Sequence, residues 1–173
     1  MPVPSSTPAA TVRRFPDGTM PHSIQDSTQD SIQGYACGFL FSRDRGRVLL
    51  IGKRRPAWQA GRLNGVGGKI EPGETPAQAL RREFREEAAL DVPDWQEVLV
   101  LTGPDWRGHF FRAAGDVDAA RSVTDELLEI HAIRPLPPDT IPNLRWIIPM
   151  LLDDDVAGRA YTVRVIDDDG GGW

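Results

Sequence analysis

The segment from Thr75 to Leu90 constrains the fold of this chain more than any other, because its local signals all specify one capped amphipathic helix. Thr75 is placed to accept from the first turn, Pro76 suits the first helical position, and Gln78 completes a capping box. Ala79, Leu80, Phe84 and Ala88 form a narrow apolar stripe, while Arg81, Arg82, Glu83, Arg85, Glu86 and Glu87 fill the remainder. The spacing sets Glu83 and Glu87 one turn apart on one face. Like charges so placed repel by roughly 0.2–0.5 kcal/mol per pair on an exposed helix, a small penalty that reverses sign with a divalent cation among them. Alone, such a helix reads as a solvated face laced with pairs such as Arg82 to Glu86. The preceding residues change that balance. Gly67-Gly68-Lys69 and Pro72-Gly73-Glu74 read as a loop that glycine keeps open, so that backbone groups can approach an ion or a phosphate.

The rest of the composition describes an ordinary globular domain. Of 173 residues, 40% are hydrophobic and 26% charged, enough for one core. A net charge of −5, without a basic block, argues against a nucleic-acid polymer as partner. No apolar run is long enough for a membrane segment, and a cytoplasmic protein is the default expectation. The single Cys37 lies in an apolar run and reads as a small core residue without a catalytic role. Residues 1–33 mix Pro, Ser, Thr, Asp and Gln without periodicity and are expected as a loose leader. Residues 34–166 are expected as the folded domain and 167–173 as an acidic, glycine-rich tail.

Within the domain, Tyr35 to Phe41 and Val48 to Ile51 read as a hairpin across the turn Ser42 to Gly46. Val98 to Leu101 and His109 to Arg112 read as two strands around Gly103-Pro104. Ile130 to Ile133 reads as a short strand, Leu144 to Leu152 as a second amphipathic helix, and Tyr161 to Ile166 as a late strand. Trp95 and Trp106 are expected to pack. The order predicts an α/β sandwich with a helix on each side of the sheet.

Gly68, Glu74, Arg82, Glu83, Phe84, Glu86, Glu87 and Leu90 stand at the spacing of the Nudix box, and the chain resembles that family over roughly residues 34 to 153. Ala89 is the one departure, standing where the family usually has glycine. The resemblance implies an α/β/α fold with a mixed sheet and a Mg²⁺ site, with Mn²⁺ a substitute. It implies that Glu86 and Glu87 bind the metal together with the backbone of Gly68, and that Glu83 is a metal ligand or the base. Arg82 then orients a box carboxylate and Glu74 is a structural partner in the loop. Some family members place the base outside the box. Asp125-Glu126 is the comparable acidic pair here, which makes Glu126 the alternative base.

Substrate clues lie outside the box. Lys53-Arg54-Arg55, Arg62 and Lys69 are cations near an acidic metal site, as a polyphosphate needs, although each taken singly is as readily surface charge. Arg62-Leu-Asn-Gly-Val-Gly-Gly-Lys69 is similar to the segment that precedes the box in Nudix enzymes acting on oxidised purine nucleoside triphosphates. Ile141-Pro-Asn-Leu-Arg-Trp146 resembles their late segment. In that branch Asn64 and Asn143 would contact the base, since an amide both donates and accepts. Asn64 as a turn residue and Asn143 as a helix N-cap are the structural alternatives. The implied activity is hydrolysis of a nucleoside triphosphate such as 8-oxo-dGTP to monophosphate and pyrophosphate. A Nudix hydrolase of another nucleoside diphosphate compound, such as ADP-ribose, is the enzymatic rival; Pro93 and Pro104 keep it open. A non-catalytic nucleotide-sensing module is the rival of another class, although such modules commonly lose box carboxylates that this chain retains.

Overall fold

The computed structural model describes residues 32–157 and 161–164; residues 1–31 of the expected leader, the last two residues of the expected late strand and the expected tail 167–173 lie outside the described residues, while Gln33, expected in the leader, opens the first strand. The chain runs β1 (Gln33–Ser42), β2 (Arg47–Lys53), β3 (Arg62–Asn64), β4 (Val66–Lys69), α1 (Pro76–Ala88), β5 (Gln96–Thr102), β6 (Trp106–Gly115), β7 (Leu128–Ala132), α2 (Leu144–Leu152), α3 (Asp154–Ala157) and β8 (Tyr161–Arg164). A short 3-10 turn at Val117–Ala119 follows β6. The sheet is mixed: β1 pairs parallel with β6, β5 parallel with β8, and the other strand pairs are antiparallel.

Period-two alternation in the central strands separates two cores. Phe39 and Phe41 of β1, Val48 and Leu50 of β2 and Phe110 of β6 face α2, where Leu144, Ile147, Ile148 and Leu151 are fully buried. Ala36, Leu40, Leu49, Ile51 and Phe111 face α1. There Leu80 and Phe84 are buried completely, each contributing about 1.5–3 kcal/mol of apolar transfer. Trp95 leans on Phe84 with ring centroids 4.6 Å apart, and Trp106 packs against the other core. The α/β sandwich and both helices thus stand as the sequence predicts.

Two expectations need correction. The β1–β2 hairpin survives only at its base, where Phe41 opposes Val48; beyond that point the strands part. Between them enter β3, which pairs with β2, and β4, which pairs with β1 from Tyr35↔Lys69 to Gly38↔Val66. The glycine run expected as a loop is therefore largely the strand β4. Its glycines conceal it, because they supply neither apolar alternation nor β-propensity. Gly67 takes φ 153°, and a Cβ there would strike the backbone of Ala36, so close strand pairing requires glycine at that position.

The box helix begins as predicted: Thr75 accepts from the Gln78 amide and the Gln78 side chain returns to the Thr75 amide. It ends at Ala89, which adopts the left-handed conformation (φ 52°, ψ 30°), while the N–H groups of Ala89 and Leu90 turn back to the Phe84 carbonyl. The departure from the box thus falls where the chain most favours glycine. A left-handed alanine costs about 1–2 kcal/mol, and glycine gives back roughly 0.5–1 kcal/mol through its freer unfolded chain. Ala89 is exposed, so no packing offsets this. Ala89→Gly should stabilise the protein by about 0.5–1 kcal/mol. Equilibrium denaturation of the two proteins checks this, and a loss of stability would contradict the cap geometry.

Candidate active site

The packing of Leu80 and Phe84 on the sheet turns the neighbouring carboxylates toward β4. Glu83 lies directly over Gly68, so closely that a Cβ at residue 68 would collide with its carboxylate. Glu87 accepts from the Gly67 N–H at 3.3 Å. Glu126 comes from the distant segment before β7 and is 6% exposed. It accepts from Lys53 Nζ at 2.5 Å, from the Arg54 N–H at 2.6 Å and more weakly from the Arg55 N–H. Lys53, at the end of β2, also lies 3.8 Å from Glu87. One ammonium group therefore joins a box glutamate to a glutamate outside the box.

Arg82 organises the other side. Its guanidinium makes a two-pronged pair with Glu74 at 2.8 and 3.0 Å, reaches Glu83 at 2.7 Å and donates to the Lys69 carbonyl. Glu74 also accepts from the Glu71 N–H, which ties the turn before α1 to the helix. Arg82 thus contacts the box carboxylate Glu83, and Glu74 stands between Arg82 and the turn before α1. Hydrogen bonds from Arg82 hold the Glu74 carboxyl below its ordinary range.

Glu87 is the most perturbed carboxyl. Burial pushes it up to about 7; Lys53 pulls against that, while Glu83 and Glu126 push it further. Burial also works to raise Glu126, but the bonds from Lys53 and the Arg54 N–H outweigh it and the carboxyl lies below the usual value. A buried carboxylate with like charges for neighbours is an environment that a cation relieves. The donors are hard oxygens beside two glycines that leave the backbone bare, which suits Mg²⁺ or Mn²⁺. Among the described residues, however, no three acidic, His or Cys side chains converge to hold an ion as they stand. Glu86 is the outlier of the expected ligand set, 58% exposed and bound to Arg82 at 3.3 Å. The physical reason is the cations: Lys53 and Arg82 hold the carboxylates as pairs.

The expected substrate residues divide. Lys53 is engaged with the carboxylates, and Arg54 reaches Asp125 at 3.6 Å. Lys69 is exposed and contributes its carbonyl to Arg82. Asn64 closes β3 as a strand residue, and its Oδ1 accepts from the Gly65 N–H at 2.8 Å. Asn143 occupies the N-cap position of α2 but its side chain makes no cap bond. Its Oδ1 is buried without a partner, as is the hydroxyl of Thr140. The segment 139–141 is bonded to Leu63 on both sides, which carries Asn143 toward the end of β3. A groove lined by Gly52, Lys53, Arg54, Arg62, Leu127 and Asp139 opens at the end of β2; neither asparagine lines it. Sequence reasoning missed Gln59, whose side chain meets Asn64; nothing in its neighbourhood marks it.

Cys37 sits beneath this corner with its thiol 3.9 Å from Asn64 Oδ1. Burial pushes the thiol up to about 12, which makes it an inert donor.

Similarity to known proteins agrees with this architecture. The chain is 53% identical over 53 residues to an oxidized purine nucleoside triphosphate hydrolase of Danio rerio, a stretch that is 31% of this chain and 33% of that protein. The matches to that protein and its mouse counterpart thus span about a third of the relatives' own length. Over a longer reach, 84% of this chain and 78% of the relative, it is 30% identical to an isopentenyl-diphosphate Delta-isomerase of Corynebacterium glutamicum. The fold is similar to a MutT NUDIX hydrolase from Burkholderia pseudomallei, with a TM-score of 0.56 and 26% identity over 65% of this chain and 92% of that one. The family model described as NUDIX domain matches residues 33–154. Because that match runs from the first residue of β1 to the first of α3, through every carboxylate of the site, the chain belongs to the NUDIX domain family.

Proposed function

We propose that this protein is a Mg²⁺-dependent hydrolase of nucleoside triphosphates, acting in the cytoplasm on oxidised purines such as 8-oxo-dGTP and releasing monophosphate and pyrophosphate. The observation that carries the chemistry is the descent of Glu83 and Glu87 onto Gly68 and Gly67, with Glu126 reaching the same place from another part of the chain. The short, strong matches to hydrolases of that substrate class favour the substrate. Glu83, Glu86, Glu87 and the Gly68 carbonyl would hold the metal. A bound Mg²⁺ or Mn²⁺ supplies charge neutralisation at the phosphoryl oxygens and a more acidic water.

The chain's own residues do the rest. Arg82 fixes the Glu83 carboxylate through a bond that is itself braced by Glu74, so the group is presented in one orientation. Glu126 already accepts from three donors and is held ionised, which weakens it as a base. Glu83 is the proposed acceptor of the proton from the attacking water, with Glu126 the alternative outside the box. Lys53, with Arg54 and Lys69 beside it, would meet the phosphate oxygens, and a bound cation would supply the positive charge that Glu87 now draws from Lys53. Asn64 and Asn143 read the base.

Chelation should abolish turnover, and Mg²⁺ or Mn²⁺ should restore it. Glu86→Gln and Glu87→Gln should each lower kcat by orders of magnitude while circular dichroism stays native. Full turnover by the Glu87→Gln protein would sink the assignment.

Glu87 makes the metal-free protein sensitive to pH. Its folded carboxyl keeps a proton up to about 7, against an unfolded value of 4.5. Between those values the folded state binds more protons than the unfolded one, so stability is greatest below the unfolded value and declines as pH rises through the folded value. In chelator, Tm should fall from pH 5 to 7.5, and Glu87→Gln should flatten the slope. Parallel slopes for the two proteins would remove burial of Glu87 as the cause.

Asn143→Ala should reduce the preference for oxidised over normal guanine triphosphate by about ten- to a hundredfold, with the metal chemistry intact. With no cap bond to lose, Tm should barely move. An unchanged ratio of kcat/KM for the two nucleotides would show that Asn143 does not read the base.

A further inference from the structure

The corner where β3 hands over to β4 contains a small network that determines what Asn64 can offer a ligand. β3 ends at Asn64 and pairs with β2; β4 begins at Val66 and pairs with β1. Gly65, between them, belongs to neither ladder, and its N–H is satisfied by Asn64 Oδ1 at 2.8 Å. A backbone N–H can only donate, so the Asn64 atom that faces it is the oxygen. The Cys37 thiol, a weak donor 3.9 Å away, approaches the same oxygen. Both lone pairs of Oδ1 are thereby occupied.

Asn64 Nδ2 donates to Gln59 Oε1 at 3.1 Å. Gln59 lies in the connection between β2 and β3, where every residue from Arg54 to Arg62 is exposed except Gln59 itself. Local turns hold that connection: the Gln59 and Ala60 N–H groups return to the Pro56 carbonyl and the Arg62 N–H returns to Gln59. A lone inward-turned amide on an otherwise solvated loop, with its oxygen on the amide expected to read the base, has a discernible consequence. The Asn64 carboxamide cannot rotate end for end without losing both the Gly65 bond and the Gln59 bond. Among the described residues, one N–H of Nδ2 has no partner.

We propose that Gln59 is a positioning residue for base selection: it locks Asn64 as a pure hydrogen-bond donor toward the substrate, so that the site favours purines presenting a carbonyl over those presenting an amino group at the edge Asn64 meets. This rests on the reading that Asn64 contacts the base. Gln59 touches neither the phosphates nor the carboxylate cluster and acts through Asn64 alone.

The test compares kcat/KM for 8-oxo-dGTP and 8-oxo-dATP, which differ in carbonyl against amino at the purine 6-position, in the full-length protein with Mg²⁺. Gln59→Leu removes the acceptor and should reduce the guanine preference by roughly three- to tenfold, the value of one neutral hydrogen bond, through KM for the guanine compound with kcat retained. Gln59→Glu keeps an acceptor and should retain the preference. An activity-independent readout is the Asn64 side-chain amide pair in ¹⁵N NMR spectra, whose downfield-shifted hydrogen-bonded proton should move upfield in Gln59→Leu and stay downfield in Gln59→Glu. Asn64→Ala separates the two levels. If it leaves the preference unchanged, Asn64 does not read the base and the role of Gln59 falls with that reading. If Asn64→Ala lowers the preference and Gln59→Leu does not, Asn64 reads the base without help and the positioning proposal alone is overturned. Should Gln59→Leu lower Tm, the Gln59→Glu result still decides: loss of preference by a stable Gln59→Glu protein also overturns it.

Discussion

The rest of the site depends on one packing constraint: α1 can bury Leu80 and Phe84 against the sheet only by bringing its adjacent carboxylates down onto β4. The apolar stripe and the carboxylate face are adjacent faces of one helix, so the hydrophobic free energy that docks the helix also carries Glu83 and Glu87 out of water. Burial of two such side chains contributes several kcal/mol by the usual transfer scale. Pushing the Glu87 carboxyl to about 7 offsets part of that. The fold thus holds a poorly solvated carboxylate in place by packing that lies elsewhere on the same helix.

Charge compensation follows. Lys53 ends β2 and lies against both Glu87 and Glu126, while Arg82 binds Glu83 and Glu74. These partly buried pairs differ from exposed ones such as Arg47–Asp118 and Arg85–Asp91, which add little to stability. Removing one partner of a buried pair strands the other. This explains why the carboxylates are held apart without a shared focus: each has the cation the sequence places within reach. Lys53 thus supplies positive charge to two carboxylates that come from distant parts of the chain.

What could be read in advance was local. The capping box, the apolar stripe and α2 were legible because each depends on residues within a few positions of one another, and the structure places them at the expected residues. The ion pairs of Arg82 are local in the same way, since Glu74 and Glu83 lie within a turn or a short loop of it. β3 and β4 were not, because glycine carries no pattern and their pairing is decided by strands far away in sequence. Glu126 could be named as an acidic candidate, but its bond to Lys53 spans 73 positions and has no sequence signature. Gln59 had no signal at all. A glutamine in a polar connection looks like solvent-facing residues on either side until the fold turns it inward.

The parting of β1 and β2 connects these observations to selectivity. Had the hairpin continued past Phe41 and Val48, β1 would have paired with β2 along its length and no room would remain for the glycine strand. The fork lets β4 approach α1 and puts Glu83 and Glu87 beside bare backbone. It also creates a junction at Gly65 where a backbone N–H has no ladder partner. An unpaired N–H in a partly buried position costs about as much as a lost hydrogen bond, and the nearest acceptor is the Asn64 side chain. That choice fixes the amide, and Gln59 secures its other end. The carboxylate cluster beside β4 and the amide pair at Gly65 therefore share a structural origin in one fork while resting on different residues, so either could change in sequence without dismantling the other.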